Sequence, residues 1–296
     1  MKIAVTGAAS FIGQALHAYC ETHGIGWVGI DLAPPGPHHT ISADICLAGW
    51  EAELPEGIDA LVHLAAISRD ADCRRDPARA IAVNMGGTWR ALEAARARRI
   101  RQLVFASSEW VYGDIDGRVK TEDMPIDAAS LKSEYPLTKL AGERLCAIAA
   151  QAQPDFAATV LRFGIVYGPR EANWSAVESM CDAVAQRDRI EVGSLQTARR
   201  FIHVDDIVAG IVAAAGRPAG FEVFNLTGNR LVTLRDIIAE SMRLHGRSPE
   251  VVERTPAQAS IRNIDNGKAR RELGWEPRIG LREGLESLAG AAVVAR

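Results

Sequence analysis

The sequence predicts an α/β protein built on a doubly wound parallel sheet. Three observations point there. Short runs that are apolar throughout recur along the first two thirds of the chain, as strands covered on both faces must be. Helical stretches separate these runs, the order that gives parallel strands joined by helical crossovers. The first crossover opens on a glycine turn, Thr6 to Gly13, between a strand and a helix.

Residues 2–6 read as the first strand, and the helix after the turn runs to about His23. Trp27 to Asp31 is a second strand ending in an acid, about His39 to Ala43 a short third, and Ala60 to Ala66 a fourth. Arg79 to Arg98 is a long helix and Gln102 to Ser108 a fifth strand. A helix from Tyr135 to about Ala150 leads into another apolar strand, Ala158 to Tyr167. Beyond Gly168-Pro169 the pattern loosens. A helix near Ala176 to Gln186 is expected, with Phe201 to Val204 and Phe221 to Leu226 as strands returning to the sheet, and further helices at about Leu234 to His245 and Leu281 to Leu288. No Pro-, Gly- or Ser-rich linker divides the chain. We therefore expect the sheet domain to comprise 1–167 and about 201–227, with a smaller discontinuous C-terminal lobe over the substrate made from about 168–200 and 228–296.

The composition narrows the class. The 296 residues are 48% hydrophobic, enough for a substantial core. A net charge of −3 offers no basic field for nucleic acid or an anionic membrane. The longest apolar stretches fall far short of the ~20 residues that cross a bilayer. Met1 runs within two residues into an apolar strand, so no targeting leader is expected. Five dispersed cysteines without a Cys-x-x-Cys pair suit a reducing cytoplasm rather than a disulfide framework or zinc site. The histidines show no metal-ligand spacing, and His63 reads as a core histidine at a strand end.

The chemistry centres on Tyr135 and Lys139. Four residues apart, they share one face of a helix, and an ammonium beside a phenol favours the phenolate, making the tyrosine a base for a substrate hydroxyl. The turn supplies a cofactor site. Gly7 permits the tight bend and Gly13 close helix packing, while the amides of the helix start can hold a pyrophosphate. Asp31, 18 residues after Gly13, can accept both hydroxyls of an adenosine ribose and would repel a 2′-phosphate. No arginine follows within the next several residues, so NAD is favoured over NADP.

These residues, with others in order, resemble the extended short-chain dehydrogenase/reductase family, in particular its NAD-dependent epimerase/dehydratases of nucleotide sugars. The resemblance spans nearly the whole chain. It rests on Thr6-Gly7 through Gly13, Asp31, Asp44-Ile45, His63-Leu64-Ala65-Ala66, Asn84 with Gly87-Thr88, Ser107-Ser108 before Val111-Tyr112-Gly113, Tyr135 with Lys139, Leu161-Arg162 before Val166 to Arg170, Arg199 before Phe201 to Asp206, Phe224 to Leu226, and Leu273 to Pro277. It implies the Rossmann form of the fold and roles for matching positions. Tyr135 is the general base and acid, Lys139 holds the nicotinamide ribose, and Ser108 hydrogen-bonds the reacting oxygen. Gly7, Ser10, Phe11, Ile12 and Gly13 hold the pyrophosphate, Asp44 and Ile45 meet the adenine, Leu64, Ala65 and Ala66 pass under the cofactor, and Asn84 and Ser107 complete its site. Ser108, Glu109, Trp110 and Arg199 face the substrate, Arg199 towards its diphosphate. The resemblance also implies a homodimer paired through the helices near 79–98 and 135–150. Asp205 and Asp206 read as caps of the helix that follows, and Phe224, Asn225 and Trp275 as packing and turn residues.

Departures from the family narrow the reaction. Ser10 replaces the usual middle glycine and could donate a hydrogen bond to the pyrophosphate. Glu109 and Trp110 stand where the 4,6-dehydratases have Asp then Glu, so the second carboxylate needed for dehydration is absent. Trp110 also removes the cysteine that 3,5-epimerases require and the glutamate of the decarboxylases. Ile165 replaces an asparagine that contacts the sugar nucleotide, and Arg200 the aspartate of Arg-Asp-Phe, although Arg199 and Arg200 together still suit a phosphate or carboxylate. The expected activity is NAD-dependent epimerisation of a nucleotide sugar through a 4-keto-type intermediate. Reduction of a ketosugar or dehydrogenation of a sugar is the alternative from the same family, and a non-catalytic NAD-binding protein the alternative from another class.

Overall fold

Hydrophobic strands set between helices settle the architecture. The computed structural model describes residues 1–113, 117–170 and 175–294. Its elements begin with β1 (Lys2–Thr6), α1 (Phe11–Thr22), β2 (Gly26–Asp31), β3 (Ile41–Ser42) and β4 (Ala60–His63). A short helix, α2 (Asp70–Arg75), precedes α3 (Pro77–Ile81), which passes through a π-turn at Ala82–Gly86 into α4 (Gly87–Ala97). Then come β5 (Gln102–Ser108), α5 (Glu134–Ala152), β6 (Ala157–Phe163), α6 (Ala176–Gln186), α7 (Val204–Ala215), β7 (Phe221–Leu226), α8 (Leu234–His245), α9 (Gly267–Leu273) and α10 (Leu281–Val294).

The seven strands form one sheet in the order β7-β6-β5-β4-β1-β2-β3, every neighbouring pair parallel. All residues of β5 and β6 are buried, as expected of strands covered on both faces. Alternate residues point to opposite faces. Ile3, Val5, Val104 and Leu161 join a core with α1 and α7, while Ala4, Leu103, Phe105 and Val160 join one with α4 and α5. The order reverses between β1 and β4. That reversal leaves a crevice beyond the carboxyl ends of the strands, where ligands of such sheets bind.

Two smaller apolar clusters lie apart from the sheet. One gathers Tyr167, Val177, Phe201, Ile237 and Leu285, and the other Val184, Ile190, Val192 and Ile238. Residues 171–174, inside the stretch expected to join this lobe, lie outside the described residues. Phe201–Val204 does not return to the main sheet: Ile202–His203 pairs with Val166–Tyr167 in a separate two-stranded ladder, because β7 already occupies the edge beside β6. The expected strand from Ala158 to Tyr167 is correspondingly two pieces. Asp205 and Asp206 lie in the first turn of α7, but His203 is its cap. Asp206 instead accepts the amides of Arg278 and Ile279 at 2.8 and 3.0 Å, tying the C-terminal segment to α7.

Candidate active site

The glycine turn is built so tightly that its glycines have no substitutes. Gly7 adopts a φ of +76°, and a Cβ there would stand 2.7 Å from the Ala65 nitrogen. A Cβ on Gly13 would meet the carbonyl oxygens of Gly7 and Ala8 at 2.4 and 2.5 Å. Ser10 caps α1: its hydroxyl oxygen accepts the Gly13 amide at 3.1 Å. Its own O–H therefore still has a donor to offer. Asp31 ends β2 and accepts the amides of Ala9 and Ala33 at 2.9 and 3.2 Å, which binds the acid to the turn while each oxygen keeps a lone pair.

The turn opens on a cleft of about 1070 Å³. Its walls bring together Gly7, Ser10, Phe11, Ile12, Asp31, Asp44, Ile45, Leu64, Ala65 and Ala66 with Ser107, Ser108, Glu109, Trp110, Tyr135 and Lys139. Gly13 lies just behind, in the first turn of α1. Residues distant in sequence thus meet as the motif order implies. Such a cradle fits a dinucleotide: a helix start with exposed amides, glycines where the backbone must come close, and a strand-end carboxylate.

Two predicted cofactor or substrate contacts fall elsewhere. Asn84 is 1% exposed and its amide is used by protein. It accepts from the Ile67 amide at 2.8 Å and donates to the Ile67 carbonyl and the Thr138 hydroxyl, both at 3.0 Å, so it fastens the loop after β4 to α5 instead of walling the cleft. Arg199 is likewise not in the cleft wall. Its guanidinium donates to the carbonyls of Ala198 and Ser260 at 2.7 and 2.5 Å and to the Ser260 hydroxyl at 2.7 Å. Arg200 donates to Asn263 at 2.8 Å and lies 3.8 Å from Asp265. The expected arginine pair for an anion is therefore split between two protein partners.

At the chemical end, Tyr135 sits in the first turn of α5, where Pro136 loses no needed N–H. One turn on, Lys139 is 4% exposed and donates its ammonium to the Ala106 carbonyl at 2.8 Å. Burial pushes that ammonium down to about 8. Tyr135 as a residue is half-buried and borders the cleft, while its hydroxyl is enclosed, and burial pushes the phenol up to about 12. A hydrogen bond with Ser108 opposes that rise, and Cys73, Glu109 and Asp70 add to it. Burial of the hydroxyl is the largest influence on Tyr135, and the ammonium expected to favour its phenolate is held at the Ala106 carbonyl.

Beside this pair the wall is charged. Glu109 is 1% exposed, and the Arg262 guanidinium lies 3.6 Å from it. Arg262 also lies over the Trp110 ring, 4.6 Å from its centroid, and Trp110 meets Tyr135 edge-on with centroids 6.1 Å apart. Arg262 carries no local sequence signal. Arg69, Arg79 and Arg170 border the cleft; Arg170, the last residue of the Val166 to Arg170 motif, pairs with Glu178 and packs its guanidinium 4.3 Å from the Phe11 ring centroid. His63 is a buried core residue between the hydroxyls of Thr6 and Thr88, at 2.7 and 3.2 Å. Among the described residues no group of three or more His, Cys, Asp or Glu is placed to hold a metal, and no helix is long and apolar enough to cross a membrane.

The cradle, the meeting of Ser108, Tyr135 and Lys139 in one cleft and the parallel sheet make a site of the kind a dinucleotide-dependent enzyme needs. Residues 3–227 match the NAD dependent epimerase/dehydratase family, and the chain belongs to it, as an enzyme of the NAD-dependent extended short-chain dehydrogenase/reductase group. It is 31% identical to a UDP-glucose 4-epimerase of Mycolicibacterium smegmatis, over 96% of either chain. It is 26% identical to a GDP-6-deoxy-D-mannose reductase of Pseudomonas aeruginosa, over 97% of this chain and 95% of the other. Among solved structures, MoeE5 in complex with UDP-glucose and NAD superposes with a TM-score of 0.86 at 28% identity, covering 100% of this chain and 99% of that one.

Proposed function

We propose that this chain is an NAD-dependent epimerase of a nucleotide sugar. The observation that carries the reading is the meeting of Ser108, Tyr135 and Lys139 in the cleft that begins at the glycine turn. A pure binder has no need of that trio. Similarity to a UDP-glucose 4-epimerase supports the class of substrate.

Gly7, Ser10, Phe11, Ile12 and Gly13 would take the pyrophosphate, Asp31 the adenosine ribose, and Asp44 and Ile45 the adenine, with Leu64 to Ala66 beneath. The chemistry NAD supplies when bound is reversible hydride exchange with a sugar carbinol carbon. As the phenolate, Tyr135 takes the hydroxyl proton while that carbon is oxidised, and as the resulting phenol it returns the proton on reduction. Ser108 holds the reacting oxygen and steadies the phenolate. Lys139, with N–H donors left after its bond to Ala106, holds the nicotinamide ribose and supplies positive charge. Asn84 acts through Ile67 and Thr138 as a positioning residue. The pieces 168–200 and 228–296, with apolar clusters of their own, form the lobe that closes on the sugar.

Incubating protein that retains NAD with UDP-glucose, UDP-galactose and other nucleotide sugars tests the reading. The expected result is interconversion at carbon 4 without net NADH. Rapid loss of cofactor with stoichiometric NADH formation or consumption would instead establish the reductase or dehydrogenase half-cycle, which the similarity to a reductase keeps as the second reading.

A further inference from the structure

Behind the cleft, buried polar residues join the glycine turn to Tyr135 in one continuous chain of hydrogen bonds. The Ala65 amide donates to the Thr6 hydroxyl at 3.4 Å, Thr6 meets Nδ1 of His63 at 2.7 Å, and Nε2 of His63 meets the Thr88 hydroxyl at 3.2 Å. Thr88 donates to the Asn84 carbonyl at 2.6 Å, and the side-chain amide of Asn84 donates to the Thr138 hydroxyl at 3.0 Å. Thr138 donates in turn to the Tyr135 carbonyl at 2.8 Å. None of Thr6, His63, Asn84, Thr88 and Thr138 is more than 1% exposed.

Every link has one direction. A carbonyl oxygen only accepts, so Thr88 spends its single proton on Asn84 and its oxygen can only accept from His63. That puts the ring proton on Nε2. Burial keeps the imidazole neutral, so Nδ1 is bare and takes the Thr6 proton. At the far end Thr138 spends its proton on Tyr135 and accepts from the NH2 of Asn84, whose side-chain oxygen accepts the Ile67 amide at 2.8 Å. Turning one link round would set two donors or two acceptors face to face in a low-dielectric interior. The members stand on β1, β4, α4 and α5, with Asn84 in the π-turn, the kind of irregularity that recurs at functional sites. The placement of each element is thus imposed on the next.

We infer that His63 and Thr88 are positioning residues for Tyr135, fixing the first turn of α5 relative to the glycine turn through a single tautomer of the imidazole. Neither residue is in the cleft wall. They act through Asn84 and Thr138, so that the base is held at a set distance from whatever the turn binds. This rests on the reading of Tyr135 as the base of an NAD-dependent enzyme, which it deepens.

Thr88→Val, alike in shape but without the hydroxyl, tests this against Thr88→Ser, which keeps it. Nitrogen NMR of the NAD-loaded protein with isotope-labelled histidine, the His63 signal being the one lost in His63→Gln, should show a neutral Nε2–H ring at neutral pH, and Thr88→Val should move it towards Nδ1–H. Amide hydrogen exchange of residues 134–139 should quicken about tenfold in Thr88→Val, the scale of one buried hydrogen-bonding group left unpaired, and keep the wild-type rate in Thr88→Ser. With a nucleotide sugar that the wild type turns over, kcat of Thr88→Val should fall about tenfold while KM and NAD affinity stay within about twofold, and serine should restore it. If Thr88→Val fails to fold, Thr138→Val cuts the chain one link from Tyr135 and should quicken the same amides and lower kcat alike. An Nδ1–H ring in the wild type, unchanged exchange in the valine variant, or a loss that serine does not restore overturns the inference. A wild-type protein that binds NAD but turns over no nucleotide sugar overturns the proposed function alone, and the ring and exchange results then decide this inference by themselves.

Discussion

The Arg162 guanidinium grips the Glu143 carboxylate through two hydrogen bonds, 2.9 and 2.7 Å, with neither side chain more than 4% exposed. Ser107 donates to the same carboxylate at 2.6 Å, and Arg162 also donates to the Tyr112 hydroxyl at 2.9 Å, which in turn donates to Asn225. This network locks α5, which carries Tyr135 and Lys139, to β5 and β6. Removing one member of a buried pair strands the other charge. Glu143→Ala should therefore cost about 3–5 kcal/mol in urea unfolding. A loss under 1 kcal/mol would show that the charges are relieved by water.

Tyr135 and Lys139 are displaced in opposite directions by the same burial, the phenol up to about 12 and the ammonium down to about 8. In the cofactor-free protein Tyr135 should stay neutral through pH 10, so the ultraviolet difference between wild type and Tyr135→Phe should show no phenolate below that pH. Turnover of the Phe variant should fall by about 10²–10⁴ with NAD affinity retained. Undiminished turnover would remove Tyr135 from the chemistry.

Gly13 offers a sharper probe of the cradle than the residues that would touch the cofactor. An added methyl there meets two backbone carbonyl oxygens, which cannot rotate away as a side chain can. Gly13→Ala should weaken NAD binding by tenfold or more in a fluorescence titration while Gly24→Ala, where a Cβ meets nothing within 4 Å, leaves it unchanged. Gly24 takes a φ of +64°, so its variant serves as a control for binding and not for stability.

His63 makes stability sensitive to acid. Burial, with a smaller contribution from Lys139, pushes its imidazole from 6.5 down to about 3. Below pH 6.5 the unfolded chain takes a proton that the folded chain refuses, so stability drops as pH falls from 6.5 towards 3. The slope due to this residue is about 1.4 kcal/mol per pH unit. His63→Gln keeps a hydrogen-bonding group for Thr6 and should remove that part of the slope from urea titrations between pH 6.5 and 4.5. An unaltered slope would mean that imidazole stays accessible to protons.

Much of this was legible because it is local. Strands buried on both faces are apolar without alternation, and a glycine turn, an acid at a strand end and a four-residue Tyr/Lys spacing are readable one stretch at a time. The helix Asp70–Arg75 was not, because Asp-Ala-Asp-Cys-Arg-Arg has no apolar period and stops just before Pro77. The π-turn at Ala82–Gly86 likewise follows from packing and has no residue signature. Arg262 is the clearest loss. It reaches Glu109 only because the chain from Ser260 onward is pinned to Arg199, a relation fixed by the tertiary fold. Arg199 stands in its motif, but the motif cannot say that Ser260 occupies its donors.

The outer sides of α3, α4 and α5 carry large apolar side chains in water. Ile81 and Trp89 are each 48% exposed, Leu137 51% and Ile148 59%. Leu137 and Ile148, eleven residues or close to three turns apart, share one side of α5. Apolar side chains grouped on adjoining helices mark a contact surface, and the helices are those through which the family resemblance implies pairing. We expect a homodimer that buries this face against a second copy. Sedimentation of the wild-type protein should give twice the mass of the 296-residue chain, and Ile148→Asp combined with Trp89→Asp should give the monomer with an unaltered far-ultraviolet spectrum. A wild-type monomer at high micromolar concentration would exclude this face as a stable interface. A variant that remains dimeric would move the interface elsewhere.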